Sequence, residues 1–270
     1  MQYEPIKRSV GKLFSGPLFL RKILYCLLDL LLLRTWHVKK ALRTIRKKLP
    51  DNASILDAGS GFGQYSWRMI RMNRHWNITG VDIDKEHIDD CNTFFSRAGL
   101  SDRVTFRIAD LTSFSEPDKF DLIISVDVME HIRDDESVFR NFNSSLRKNG
   151  ILLISTPSDK GGSDVHGDKE ESFIGEHVRN GYSIDEITGK LISAGFRNTE
   201  AKYTYGRPGN ISWHISMKYP VRLLNRSYLF ALLLPFYYLI VFPVSLILNI
   251  CDVAFTHKTG TGLIITARKQ

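Results

Sequence analysis

A chain of 270 residues, 43% hydrophobic and 24% charged, carries enough apolar material to fill a full α/β core, which excludes a disordered segment. The net charge of +8 is unevenly placed, because residues 1–50 hold twelve Lys/Arg against Glu4 and Asp29 and the remainder is slightly acidic. Such a front end suits an anionic neighbour, lipid or nucleic acid, or a solvated basic helix. Cys26, Cys91 and Cys251 are odd in number and lack metal-ligand spacing, which argues against a disulfide framework or zinc site and fits a reducing cytosol.

In chain order, Pro17 opens a helix with Leu20, Ile23, Leu24, Leu27, Leu28 and Leu31 on one face. Arg21, Lys22 and Asp29 interrupt this apolar run of residues 18–33, and no small-residue cleavage site follows, so it is expected to be retained rather than removed as a secretory signal. A second helix over 36–49 alternates Trp36, Leu42, Ile45 and Leu49 with Lys39, Lys40, Arg43, Arg46 and Lys47, and Pro50 closes it. From Ala53 the pattern becomes strand, turn, helix, repeated. Strands are predicted over 54–57, 77–82, 104–109, 120–126, 151–155, 201–205 and 262–268. Helices are predicted after Gly63, over 85–98 and 134–146, and from Ser183, whose capping box Glu186 completes, to Gly195. Apolar strands alternating with helices mean a mostly parallel, doubly wound α/β sheet covered on both faces. The expected organisation is N-terminal apolar and basic helices (1–50), a catalytic domain (51–205 plus 261–270) and an apolar insertion (206–260).

Asp57-Ala58-Gly59-Ser60-Gly61-Phe62-Gly63 sits at a strand-to-helix turn, where glycine lets the backbone approach a ligand. Its spacing is GxGxG, whereas the dinucleotide fingerprint is GxGxxG with a pyrophosphate at the helix N-terminus. Asp82 closes the second strand, where a carboxylate can accept from both ribose hydroxyls, and Asp110 closes the third, within reach of an adenine amine. Asp84 reads instead as an N-cap or surface acid.

With ILDAGSGFG (55–63), ITGVDID (78–84), RIADL (107–111), FDLIISVDVMEHI (120–132), LRKNGILLISTP (146–157) and EHVRNGYS (176–183) in this order, the chain resembles the class I S-adenosylmethionine (SAM)-dependent methyltransferases over 53–205 plus the last strand. The resemblance implies a Rossmann-like seven-stranded sheet of order 3-2-1-4-5-7-6 and SAM as cofactor. By it, Asp57, Gly59 and Gly61 shape the methionine pocket, Asp82 holds ribose, Asp110 reads adenine, Ile83 and Leu111 sandwich the ring, and Ser125 to Asp127 line the methionyl end.

Methyl transfer from a sulfonium is an in-line displacement, for which the protein supplies orientation and, for a hydroxyl acceptor, a base. The candidates are Glu130, His131 and His177, with His166 nearby; His131 and His177 fit either a chemical role or a packed turn, and no metal is expected. Residues 159–173, with Gly161, Gly162 and Gly167, have the composition of a lid.

Between Arg226 and Asp252 no residue is charged. The run is long enough for a membrane span, but its flanking strands share one sheet, and Pro235 and Pro243 are expected to cut it into pieces near eight residues. A re-entrant hairpin or interfacial helices satisfy both constraints, and a pocket cap or dimer contact is the alternative. The expected function is methylation of a lipophilic small molecule (a quinone precursor, polyprenyl compound or other lipid) at the cytoplasmic face of a membrane. The alternatives are a soluble sugar or metabolite methyltransferase and a non-catalytic SAM-binding scaffold. Nucleic acid is not expected as a partner, since the basic residues adjoin the most apolar stretch rather than stacking aromatics.

Overall fold

The computed structural model describes residues 17–161, 178–227, 230 and 232–270. Seven strands, β1 (Ser54–Ala58), β2 (Asn77–Asp82), β3 (Val104–Ile108), β4 (Phe120–Val126), β5 (Leu146–Pro157), β6 (Phe196–Thr204) and β7 (Gly262–Lys269), form one sheet in the order β3-β2-β1-β4-β5-β7-β6. The pairs from β3 through β5 are parallel, and β7 runs antiparallel between β5 and β6. This is the sheet order that the resemblance implies.

Strand alternation splits the apolar residues between two cores. Ile55, Ile78, Leu122, Ile124 and Leu153 face one side and pack under α1 (Leu18–Leu31), α2 (Leu33–Arg46), α3 (Gln64–Met72) and α4 (Lys85–Arg97). Leu56, Ile123, Leu152 and Ile154 face the other, under α5 (Asp135–Ser145) and α6 (Ile184–Ser193). Local signals set the helix starts. The Asp84 carboxylate accepts from the Glu86 and His87 amides and so caps α4, as expected, and the Ser183 hydroxyl accepts from the Glu186 amide at α6. Strands β5 and β6 begin five residues earlier than their apolar runs, because the segment before Gly150 continues the ladder against Phe120 and β6 pairs along almost all of β7.

The sequence left open which way α1 faces. Its protein-facing side is Arg21 and Tyr25, flanked by Leu18, Leu24 and Leu28, while Phe19, Ile23, Leu27, Leu30 and Leu31 are exposed. Arg21 is only 1% exposed because it is fully engaged: it pairs with Asp90 at 2.9 Å and donates to the Tyr25 hydroxyl and the Phe62 carbonyl. Hydrogen bonds to these groups outweigh the apolar pattern in choosing the face.

One expectation, about the insertion, needs correction. Pro235 and Pro243 do not fragment it: α9 (Leu234–Ala254) is one helix of 21 residues, with Pro235 in its first turn and Pro243 inside. In the first turn a proline removes an N–H that has no partner anyway. Pro243 breaks one backbone bond, and the neighbouring rod holds the helix on both sides of that break. This rod consists of α7 (Arg207–Trp213), a π-helical turn (His214–Lys218) and α8 (Tyr219–Arg226). The Tyr237 and Tyr238 hydroxyls donate to the Ile215 and Ser216 carbonyls, and the Ser212 hydroxyl donates to the Ser245 carbonyl. The two rods therefore run antiparallel as a helical hairpin, joined to the sheet at both ends.

Like α1, α9 turns its polar stripe inward. Ser245, Asn249 and Asp252 are buried, whereas Phe236 and Leu239 are 72% and 76% exposed and Ile240, Ile247 and Ile250 are exposed beside them. Asp252, fully buried, accepts from His37 Nε2 (2.8 Å) and from the Gly209 and Tyr205 amides (2.9 and 3.1 Å).

Candidate active site

The turn after β1 brings three glycines into left-handed backbone conformations: φ is 77° at Gly59, 48° at Gly61 and 73° at Gly63. A Cβ on Gly59 would lie 2.3 Å from Val128, so only glycine lets the loop seat against the β4 tip. A Cβ on Gly61 would meet nothing within 4 Å, and its amide donates to Asp82 Oδ2 at 2.8 Å. The loop thus leaves open space beside the carboxylate that closes β2. The other Asp82 oxygen accepts from the Asp84 amide at 3.0 Å, which fixes the carboxylate plane.

Asp57 lies beneath the loop, 2% exposed, and accepts from the Ser66 hydroxyl at 2.6 Å. Burial pushes its carboxyl up to about 6 although the Ser66 bond favours the ionised form. Ile83 is 75% exposed at the end of β2 and Leu111 is buried after β3, so an apolar edge and an apolar floor flank the region that Asp82 and Asp110 border. Asp110 Oδ1 accepts from the Thr112 amide and hydroxyl, both at 2.8 Å, an Asx turn that holds the exposed carboxylate at the strand end.

Asp127 follows β4 with φ 53°, in the left-handed region, and its amide donates to the Ser155 carbonyl. Its carboxylate forms an ion pair with Arg34, from the first turn of α2. Arg34 also donates its amide to the Tyr205 hydroxyl at 3.0 Å. Sequence reasoning missed Arg34 and Tyr205, because only tertiary packing brings positions 34, 127 and 205 together. The sole local signal was the basic residue at the join of two helices.

Of the acid–base candidates, Glu130 and His131 sit on a 3₁₀ turn (Met129–His131) at the β4 tip. Glu130 is 1% exposed and accepts from the Thr156 hydroxyl at 3.1 Å, while its carbonyl accepts from the Val178 amide; burial raises its carboxyl above the usual range. It braces β4, β5 and the approach to α6. His131 is half-buried beside it. His177, like His166 and most of the 159–173 segment, lies outside the described residues. Arg179 does not reach the site: with Tyr182 and Lys190 it converges on buried Asp135 and packs the turn before α6. No cluster of three His, Cys, Asp or Glu able to hold a metal occurs among the described residues.

Three polar donors near the β1 and β4 ends are left unpartnered among the described residues. The Ser60 and Ser125 hydroxyls and Arg34 Nε are buried with no hydrogen-bond partner among the described residues, and they belong to the glycine loop, the β4 end and the α2 start. Buried polar atoms without partners are costly unless a ligand completes them.

A family model described as a methyltransferase domain matches residues 49–198. The chain belongs to this family. It is a class I SAM-dependent methyltransferase domain. Among curated proteins it is similar to the 27-O-demethylrifamycin SV methyltransferase of Amycolatopsis mediterranei, 30% identical over 167 residues, which are 59% of this chain and 59% of that protein. It is also similar to the ubiquinone biosynthesis O-methyltransferase of Pelagibacter ubique, 28% identical over 105 residues, 39% of this chain and 42% of that one. The methyltransferase domain thus spans about half the length of these relatives. In fold it matches the sarcosine dimethylglycine methyltransferase structure from Galdieria sulphuraria, with a TM-score of 0.59 at 20% identity, covering 87% of this chain and 83% of that one. It likewise matches phosphoethanolamine N-methyltransferase 2 of Haemonchus contortus in complex with SAM, with a TM-score of 0.57 at 20% identity, covering 81% and 49%.

Proposed function

We propose that the protein is a membrane-associated SAM-dependent methyltransferase of the cytoplasmic face, transferring a methyl group to a lipophilic small molecule such as a quinone precursor, a polyprenyl compound or another lipid. One observation carries the reading: two helices, α1 and α9, direct their polar stripes into the protein and leave their large apolar side chains outside. In water this arrangement leaves large apolar side chains exposed along two helices, whereas a bilayer interface makes it favourable. At about 1.5 Å per residue, α9 is long enough to reach deep into hydrocarbon, and the return of the chain to β7 favours a monotopic or re-entrant hairpin. The similarity to a ubiquinone biosynthesis O-methyltransferase is compatible with a lipophilic acceptor.

SAM, when bound, supplies a methyl group already activated by its positive sulfur. The chain's own residues would orient it: Asp57, Gly59 and Gly61 at the methionine end, Asp82 at the ribose, Asp110 with Ile83 and Leu111 around the adenine, and Asp127, steadied by Arg34, at the methionyl end. For a hydroxyl acceptor, His131 is our candidate base, on a turn that Glu130 braces.

The test replaces Phe236, Leu239, Ile240 and Ile247 by Ser in the full chain, then follows vesicle flotation and labelled-methyl transfer from SAM into total lipid extracts. Loss of both, with SAM binding retained, is the expected result. Unchanged flotation, or transfer only to water-soluble acceptors, overturns the reading.

A further inference from the structure

We propose that a cavity between α1, α3 and α4 is a second site, which binds the phosphate of an anionic lipid headgroup. The cavity, open to solvent, has a volume of about 430 Å³ and is lined by Lys22, Arg71 and Arg103 together with Trp67, Ile70 and Leu100; no carboxylate lines it among the described residues. Lys22 Nζ lies 5.4 Å and Arg71 Cζ 5.6 Å from the centroid of the Trp67 ring, so one indole gathers both cations. Neither cation has a carboxylate partner among the described residues, and the Arg103 guanidinium donates to the neutral Arg74 carbonyl. The neighbouring cations differ: Arg21 pairs with Asp90, and Arg68 and Lys39 pair with Asp29. Three cations on one cavity wall, with no carboxylate partner among the described residues, repel one another, and a phosphate, which accepts charge-assisted hydrogen bonds from both guanidinium and ammonium groups, relieves that repulsion.

Placement separates this site from the catalytic one. Ile70 and Arg71 end α3, and Leu100 and Arg103 precede β3, so this wall of the cavity lies toward the N-terminal edge of the parallel strands, and the cavity lining includes no residue of the glycine loop, nor Asp82 or Asp110. Its ligand is therefore not the methyl acceptor. The lipid source follows from α1: Lys22 is bracketed by the exposed apolar side chains Phe19, Ile23 and Leu27, a track for an acyl chain leaving the headgroup. Choosing a lipid over free phosphate rests on the membrane reading above; the anion site itself does not.

The experiment compares the full-length protein with Lys22→Gln/Arg71→Gln and with a charge-matched control at the exposed end of α2, Lys47→Gln/Lys48→Gln. Calorimetry uses monomeric dihexanoyl phosphatidate and sodium phosphate, and flotation uses phosphatidylcholine vesicles with and without phosphatidate, after thermal melts establish folding. Lys22→Gln/Arg71→Gln is expected to weaken phosphatidate binding by about 10-fold or more, the loss of one or two charge-assisted hydrogen bonds, with the control near wild type and neutral-vesicle flotation unchanged. Equal losses in both double variants reduce the effect to bulk charge and overturn the site. Sodium phosphate binding as tightly as phosphatidate overturns the lipid assignment. Failure to float on neutral vesicles counts against the membrane reading, while the calorimetric arm still decides the anion site.

Discussion

Asp57 is held in a state that the cofactor has reason to change. Its carboxyl is pushed from 3.8 up to about 6 by burial, so in the ligand-free protein ionisation opposes folding as pH rises through that window. The wild type should therefore lose stability relative to Asp57→Asn between about pH 4 and 6, by about 3 kcal/mol at most, in denaturant melts at stepped pH. SAM brings a positive charge to this end of the site, so its affinity should strengthen as pH rises past about 6, which calorimetry at pH 5 and 7.5 would measure. Asp82 acts by geometry instead, since the Gly61 amide fixes its carboxylate. Asp82→Ala should lower SAM affinity by about 30- to 100-fold, the loss of a charged acceptor for two hydroxyls, in the same measurement. Asp57, Asp82 and Asp110 were legible in the sequence because each ends an apolar strand, where parallel sheets place ligands. Arg34 was not, because its partners Asp127 and Tyr205 lie 93 and 171 residues away.

At the scale of elements, hydropathy located α1 and α9 but did not say how they sit. Periodicity marks which residues share a face, yet it does not say whether that face turns to protein or away from it, and buried Arg21 and Asp252 decide this through hydrogen bonds. Pro243 was read as a break because the sequence does not display the rod that holds α9 on both sides of it. Asp252 fastens the hairpin to α2 and to the residue after β6. Asp252→Ala would leave His37 and two backbone amides without their acceptor, and about 3–5 kcal/mol of stability should be lost. Limited proteolysis should then cut first near 227–233, and uniform protection there would refute the anchoring role.

For the whole molecule, the strand order was readable because consecutive apolar strands and crossover helices allow few arrangements. The asymmetry between the two sides of the sheet was less visible. Helices α1 and α2 belong to the same core as α3 and α4, and α9 is pinned to α2, so both outward apolar surfaces belong to layers built on one side, while α5 and α6 cover the other without such additions. A β7 wedged between β5 and β6 has a consequence for assembly. Strand β6 touches the sheet only through β7, and the whole apolar hairpin lies between them in the chain. While the polypeptide is being synthesised, β6 must therefore wait unzipped until the hairpin has emerged and found its place, so a lipid surface that shelters those helices early would also shorten the time that a bare strand edge is open to aggregation.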